Sequence, residues 1–188
     1  MYQWKNILLC LFLVFSNSLF ASDKPIKIGI VTFLSGPAAG PFGVPAKIAA
    51  DEIVESLNAG KVPHPYNSTG FSGRKIELVY VDEAGGASKQ VTEFRNLVSR
   101  RKVDFVIGYI SSGDCLAIPP VADELKTLTI LMDCGTPRVF EENDYKYVFR
   151  TRAHSTMDAV AGVRYILELN PETQSYSGIN QNFAFGHD

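Results

Sequence analysis

The residues of this 188-residue chain best placed to do chemistry fall in short glycine-rich or polar segments, each directly after an apolar run: 35–43, 82–86, 111–115 and 133–137. Ser111-Ser112-Gly113-Asp114 leads into a helical pattern. First-turn N–H groups there lack intrahelical acceptors and the helix dipole adds partial positive charge, so the turn can hold a carboxylate. Ser112 or Asp114 can equally cap the helix and occupy those amides. Asp133-Cys134-Gly135-Thr136-Pro137 offers further amides and the Thr136 hydroxyl, which can face a ligand or close on its own turn. Donors from two neighbouring loops suit a small carboxylate, each hydrogen bond to a charged group adding about 1.5–3 kcal/mol. In Gly36-Pro-Ala-Ala-Gly40-Pro-Phe-Gly43 the glycine spacing fits neither a dinucleotide fingerprint nor a Walker loop. That segment either shapes a turn or presents Phe42 to a ligand.

Catalytic patterns are missing. There is no Gly-x-Ser-x-Gly elbow and no His-Glu-x-x-His, and His64, His154 and His187 lie too far apart to suggest a metal cluster. No catalytic residue, metal or cofactor is expected. Cys115 with a distant histidine could form a nucleophile and base, although a disulfide would remove that thiol. Asn67-Ser68-Thr69 matches a glycosylation acceptor, which matters only in a eukaryotic secretory pathway. With a formal charge of −2, the chain lacks the basic field that nucleic acid or an anionic membrane would require.

Hydrophobic residues make up 46% and charged residues 20%, enough apolar material for one packed domain and the beginning of another. Apolar runs alternate with helical periodicity. Strands are predicted at 27–33, 75–81, 103–110 and 128–132, with a shorter extended piece at 147–151. Helices are predicted where Ala46, Ala49, Ala50, Ile53 and Leu57 recur, then at 88–101 with Val91, Phe94 and Val98 on one face, at 115–125 and at 155–169. A further strand is read at 176–180 and a loop at 183–186. This alternation implies right-handed crossovers and a doubly wound parallel α/β sheet. Ligands of such sheets bind beyond the carboxyl ends of the strands, where the four segments lie.

The start of the chain differs from the rest. Lys5 precedes an apolar run from Ile7 to Phe15, too short to span a bilayer but suited to a signal peptide cut near Ala21 or after Ser18. Export gives the reading 1–21 signal peptide, 22–150 first lobe and 151–188 the incomplete start of a second similar lobe. The mature chain is then soluble and keeps Cys115 and Cys134. In an oxidising compartment these can bridge, closing a loop of about 20 residues, or remain separate buried thiols.

Ile28-Gly-Ile-Val-Thr-Phe-Leu-Ser-Gly-Pro-Ala-Ala39, Arg74-Lys-Ile-Glu-Leu78, Val103-Asp-Phe-Val-Ile-Gly108, Tyr147-Val-Phe-Arg-Thr151 and Gly178-Ile-Asn-Gln-Asn-Phe-Ala-Phe-Gly-His-Asp188 together resemble the type I periplasmic solute-binding proteins of ABC transporters, in particular the branched-chain amino acid (Leu/Ile/Val) group. The resemblance implies a periplasmic two-lobed clamp on an amino acid or related amide, with a permease and ATPases as partners. By position it gives Ser112 and Gly113, then Cys134 and Thr136, as ligand-facing residues of the first lobe, and Ser111 and Gly135 of the same loops are taken with them as ligand-binding candidates. Phe42 corresponds to the aromatic residue of the first loop. Phe185 corresponds to an aromatic residue of the second lobe, often Tyr in relatives. Family members are roughly twice as long, so the 188 residues alone are expected to bind weakly and to leave Ile166, Leu169 and Ile179 in water. A ligand-sensing regulatory module and a non-functional remnant are the alternative readings.

Overall fold

The computed structural model describes residues 24–187, so the apolar N-terminal run, Cys10 and the expected cleavage sites lie outside the described residues. The chain forms β1 (Ile26–Thr32), one π-helical turn (Ala39–Gly43), α1 (Val44–Asn58), β2 (Ile76–Asp82), α2 (Ala87–Ser99), β3 (Phe105–Gly108), α3 (Ser112–Glu124), β4 (Thr129–Leu131), α4 (Arg138–Glu141), β5 (Val148–Arg150), α5 (Ser155–Leu169) and α6 (Ala184–His187). The strands make one parallel sheet in the order β2-β1-β3-β4-β5. Parallel strands joined by helices bury both sheet faces, which is why β3 and the stretch of β1 from Ile28 to Val31 are continuous apolar runs rather than alternating ones. Val31 and Val106 are fully buried, together with Phe94 and Leu97 of α2 and Ile118 of α3.

The expected doubly wound lobe is therefore present. Because β1 lies between β2 and β3, the chain steps one way from β1 to β2 and then crosses back to β3. The loops after β1 and β3 diverge at this reversal and leave a crevice beyond the strand ends. Close approach in the sheet depends on Gly108, where a Cβ would lie 2.2 Å from the Val31 carbonyl oxygen. The helix carrying Ala46 to Leu57 forms as expected, but Ala49 and Ile53 are exposed, and Ala46, Ala50 and Leu57 are only partly covered.

The C-terminal segment departs from expectation. Residues 176–180 are irregular rather than a strand, with Tyr176 and Ile179 fully open to water and, among the described residues, no neighbouring strand to accept their backbone groups. Conversely, the predicted loop at 183–186 is largely helical, in α6. Ile166 and Leu169 of α5 are also exposed. Among the described residues, no helix is long and apolar enough to cross a membrane.

Candidate functional site

The loop after β1 is tied to the end of β2. The Asp82 carboxylate accepts hydrogen bonds from the Leu34 amide (2.9 Å), the Ser35 hydroxyl (2.5 Å) and the Ala84 amide (3.0 Å). Burial alone would raise its pKa, but these bonds outweigh it and hold the carboxyl at about 2. Farther along, Gly43 packs so tightly under β1 that a Cβ would collide with the Phe33 carbonyl, fixing the turn that carries Phe42. Asp82→Asn is expected to cost about 1–2 kcal/mol at neutral pH. Because the folded pKa is depressed, this stabilisation exists above about 4 and is lost as pH falls toward 2, so wild type and variant should converge in acid urea denaturations.

The β3–α3 turn is more constrained. Tyr109 is fully buried with φ +67, a left-handed conformation costing about 1 kcal/mol or more for a residue with a side chain. Ser111 is the N-cap of α3, its hydroxyl accepting from the Asp114 amide (3.4 Å). Capping thus comes from Ser111, one residue earlier than expected, and leaves Ser112 buried at the cavity wall. The amides of Ile110 and Ser111 are already engaged. Both donate to Oε1 of Glu83, at 2.8 and 2.7 Å. Burial raises Glu83 to about 7 despite these bonds, with Asp114 and Asp133 adding to the rise. Burial likewise raises Asp114 to about 6.

The loop after β4 meets this turn through a disulfide. Cys115, in the first turn of α3, is bonded to Cys134 with a Cα separation of 6.0 Å, and both are fully buried. The bridge joins the two donor loops and removes the thiol that a cysteine nucleophile would need. Asp133 forms an ion pair with Arg152, whose guanidinium also reaches Asp158 at 3.2 Å. The Gly135 carbonyl accepts from the Ser155 amide (2.9 Å), fastening the start of α5 to the same loop. Thr136 is fully buried with no partner for its hydroxyl, and its carbonyl accepts from the Arg150 guanidinium at 2.6 Å.

These loops and the C-terminal segment line an open cavity of about 660 Å³. Phe33, Pro37, Ala38, Pro41 and Phe42 line it from the first loop, Ile110, Ser111 and Ser112 from the second, Asp133 and Gly135 from the third, with Arg152, Gln181, Phe183 and Phe185. Phe185 lies against Gly135, where a Cβ would come within 2.5 Å of its ring, so a glycine there is a condition of the aromatic contact. Of the residues expected from sequence, Phe42, Ser111, Ser112, Gly135 and Phe185 share this wall. Gly113 is exposed outside it, and Cys134 and Thr136 are buried beside it. Sequence reasoning missed Glu83 and Arg152. The position of Glu83 at the carboxyl end of a predicted strand was the available signal for the first.

With this geometry in hand, residues 25–188 match the family model described as periplasmic binding protein. Among solved structures, the chain is similar to the branched-chain amino acid transporter substrate-binding protein LivJ from Streptococcus pneumoniae, in complex with isoleucine. The identity is 26% and the TM-score 0.59, over 70% of this chain and 34% of that one. It also resembles an ABC transporter substrate-binding protein from Sphaerobacter thermophilus (21%, TM-score 0.63, 87% and 42%). A third similar structure is a solute-binding protein from R. palustris in complex with 4-hydroxybenzoate (19%, TM-score 0.61, 78% and 37%). The last two likenesses concern the fold. No curated protein matches the sequence at comparable stringency. The chain spans between a third and about two fifths of the length of these structures. Its match over residues 25–188, borne on the parallel-sheet lobe and strand-end cavity described above, makes the chain a member of the periplasmic binding protein family.

Proposed function

We propose that the chain is the extracytoplasmic substrate-binding component of an ABC importer, capturing an amino acid of the branched-chain type or a related amide and delivering it to a permease driven by ATPases. It is a binding protein rather than an enzyme. Residues 1–21 are its signal peptide, 22–150 its first ligand-binding lobe and 151–188 the start of a second. The observation that carries this reading is the mixed lining of the cavity. Phe33, Phe42, Ile110, Phe183 and Phe185 supply apolar surface suited to a branched side chain, while Ser111, Ser112 and the Asp133–Arg152 pair supply polar groups suited to a zwitterionic head group. The isoleucine in the similar LivJ structure supports the same class of solute.

Phe42 and Phe183 are each 48% exposed and Phe185 37%, so a ligand held by these 188 residues remains largely open to water. L-Leucine, L-isoleucine or L-valine is therefore expected to bind at about millimolar Kd. Titrations followed by NMR should move the amides of Phe42, Ser111, Ser112 and Gly135. Saturable shifts elsewhere, or none with any of the three, would sink the reading, and micromolar binding by calorimetry would contradict the open cavity.

A further inference from the structure

The β3–α3 turn presents Ser111 and Ser112 to the cavity, yet its conformation is unfavourable in itself, with Tyr109 left-handed immediately before the two amides that Glu83 grips. Glu83 reaches this turn from the far side of β1. Its own N–H donates to the Thr32 carbonyl at 2.9 Å, anchoring it to the end of β1, and its side chain then spans to β3. The carboxylate is fully buried, and its second oxygen has no hydrogen-bond partner.

We propose that Glu83 is a positioning residue for the part of the cavity wall formed by Ser111 and Ser112, holding the turn at 109–111 through the amides of Ile110 and Ser111, and that its protonation state sets how firmly Ser111 and Ser112 are presented. The inference rests on the proposed function only for what the cavity holds, since the turn can be observed without a ligand.

The groups around Glu83 make this dependence specific. From β1 it meets neutral Thr32, and from the β3 turn it meets Tyr109, whose buried hydroxyl is also unpartnered. Asp114 faces it from α3 and Asp133 from the β4 loop, and the charge of Asp133 is matched by Arg152. On its own side, Asp82 turns away to the first loop and Gln90 of α2 donates to the Asp82 carbonyl. Among the described residues no cation pairs with Glu83, so the two amides are what balance its charge. An ionised carboxylate accepts these bonds more strongly than a neutral acid does. With Glu83 titrating at about 7, the exchange of one grip for the other falls near neutrality.

The test is NMR of the ligand-free chain from pH 5 to 9, in wild type, Glu83→Gln and Glu83→Ala. In wild type the Ile110 and Ser111 amide protons should move downfield together with one midpoint near neutrality. In Glu83→Gln, which keeps an accepting oxygen but cannot ionise, both should stay flat while the other turn resonances remain in place. In Glu83→Ala both amides should exchange with solvent roughly tenfold faster or more, while Val31 and Val106 remain protected. A wild-type profile without the titration, or the same titration in Glu83→Gln, overturns the proposal and assigns any movement to Asp114 or Asp133. Wild-type exchange rates in Glu83→Ala also overturn it. Should the alanine variant fail to fold, the comparison of wild type with Glu83→Gln decides.

Discussion

Replacing Cys115 and Cys134 together by alanine, or reducing their bridge, is expected to lower the unfolding free energy by about 3 kcal/mol, the value the chain-entropy model assigns to a loop of about 20 residues. That is a large part of the roughly 5–15 kcal/mol that holds a domain folded. The effect acts chiefly on the unfolded chain. Because both sulfurs are buried where α3 meets the β4 loop, the alanine variant also loses packing at the two loops that frame the cavity. Urea denaturation with and without reductant measures the difference. Before denaturation, protein beginning after residue 21 should show no thiol reactive toward a thiol reagent, and two after reduction and unfolding. A loss below about 1 kcal/mol, or free thiols in the untreated protein, would contradict the bridge as a stabilising element.

Stability should also fall as pH rises from about 4.5 to about 7, and Glu83→Gln should abolish most of that fall. Unfolded Glu83 releases its proton near 4.5, whereas burial delays release to about 7 in the folded protein. Between those values the folded state holds the extra proton, so raising the pH favours unfolding. At 1.36 kcal/mol per pH unit the Glu83 contribution is about 3 kcal/mol, fully present below pH 4.5 and gone above about 7. Asp114, raised from 3.8 to about 6 by burial, acts in the same direction over a lower window. Wild type and Glu83→Gln should therefore diverge with rising pH, the variant being the more stable at pH 8. Parallel urea-denaturation curves at pH 5 and 8 would show that Glu83 does not carry the dependence.

The parts of this fold readable from sequence are those set by local patterning. Val103 to Ile110 marked a central strand because both faces are covered, and apolar periodicity placed the long helices, although α3 begins at Ser112 rather than Cys115 because Ser111 caps it. The same logic misread Tyr176 to Asn180. An apolar residue at 179 makes no strand where there is no neighbouring backbone to pair with. Loop position was legible as well, since parallel strands all end at the same edge of the sheet and so bring Phe42, Ser111, Ser112 and Gly135 to one rim. What those loops do with their donors was not. Whether the amides of Ile110 and Ser111 face a ligand depends on a carboxylate 27 and 28 residues earlier, just past the end of a strand that is not even adjacent to β3. The Thr136 side chain illustrates the same limit, because a hydroxyl in a strand-end loop can turn inward as readily as toward the crevice.

Helix α5 carries a different consequence. Every side chain from Thr156 to Leu169 is exposed, so the helix is secured mainly at its beginning, through the Ser155 amide and the Arg152 contacts beneath it. Fifteen residues without tertiary support are marginal as a helix in water. Its distal turns can fray and reform while the sheet stays intact, an excursion that costs only a fraction of the global unfolding free energy.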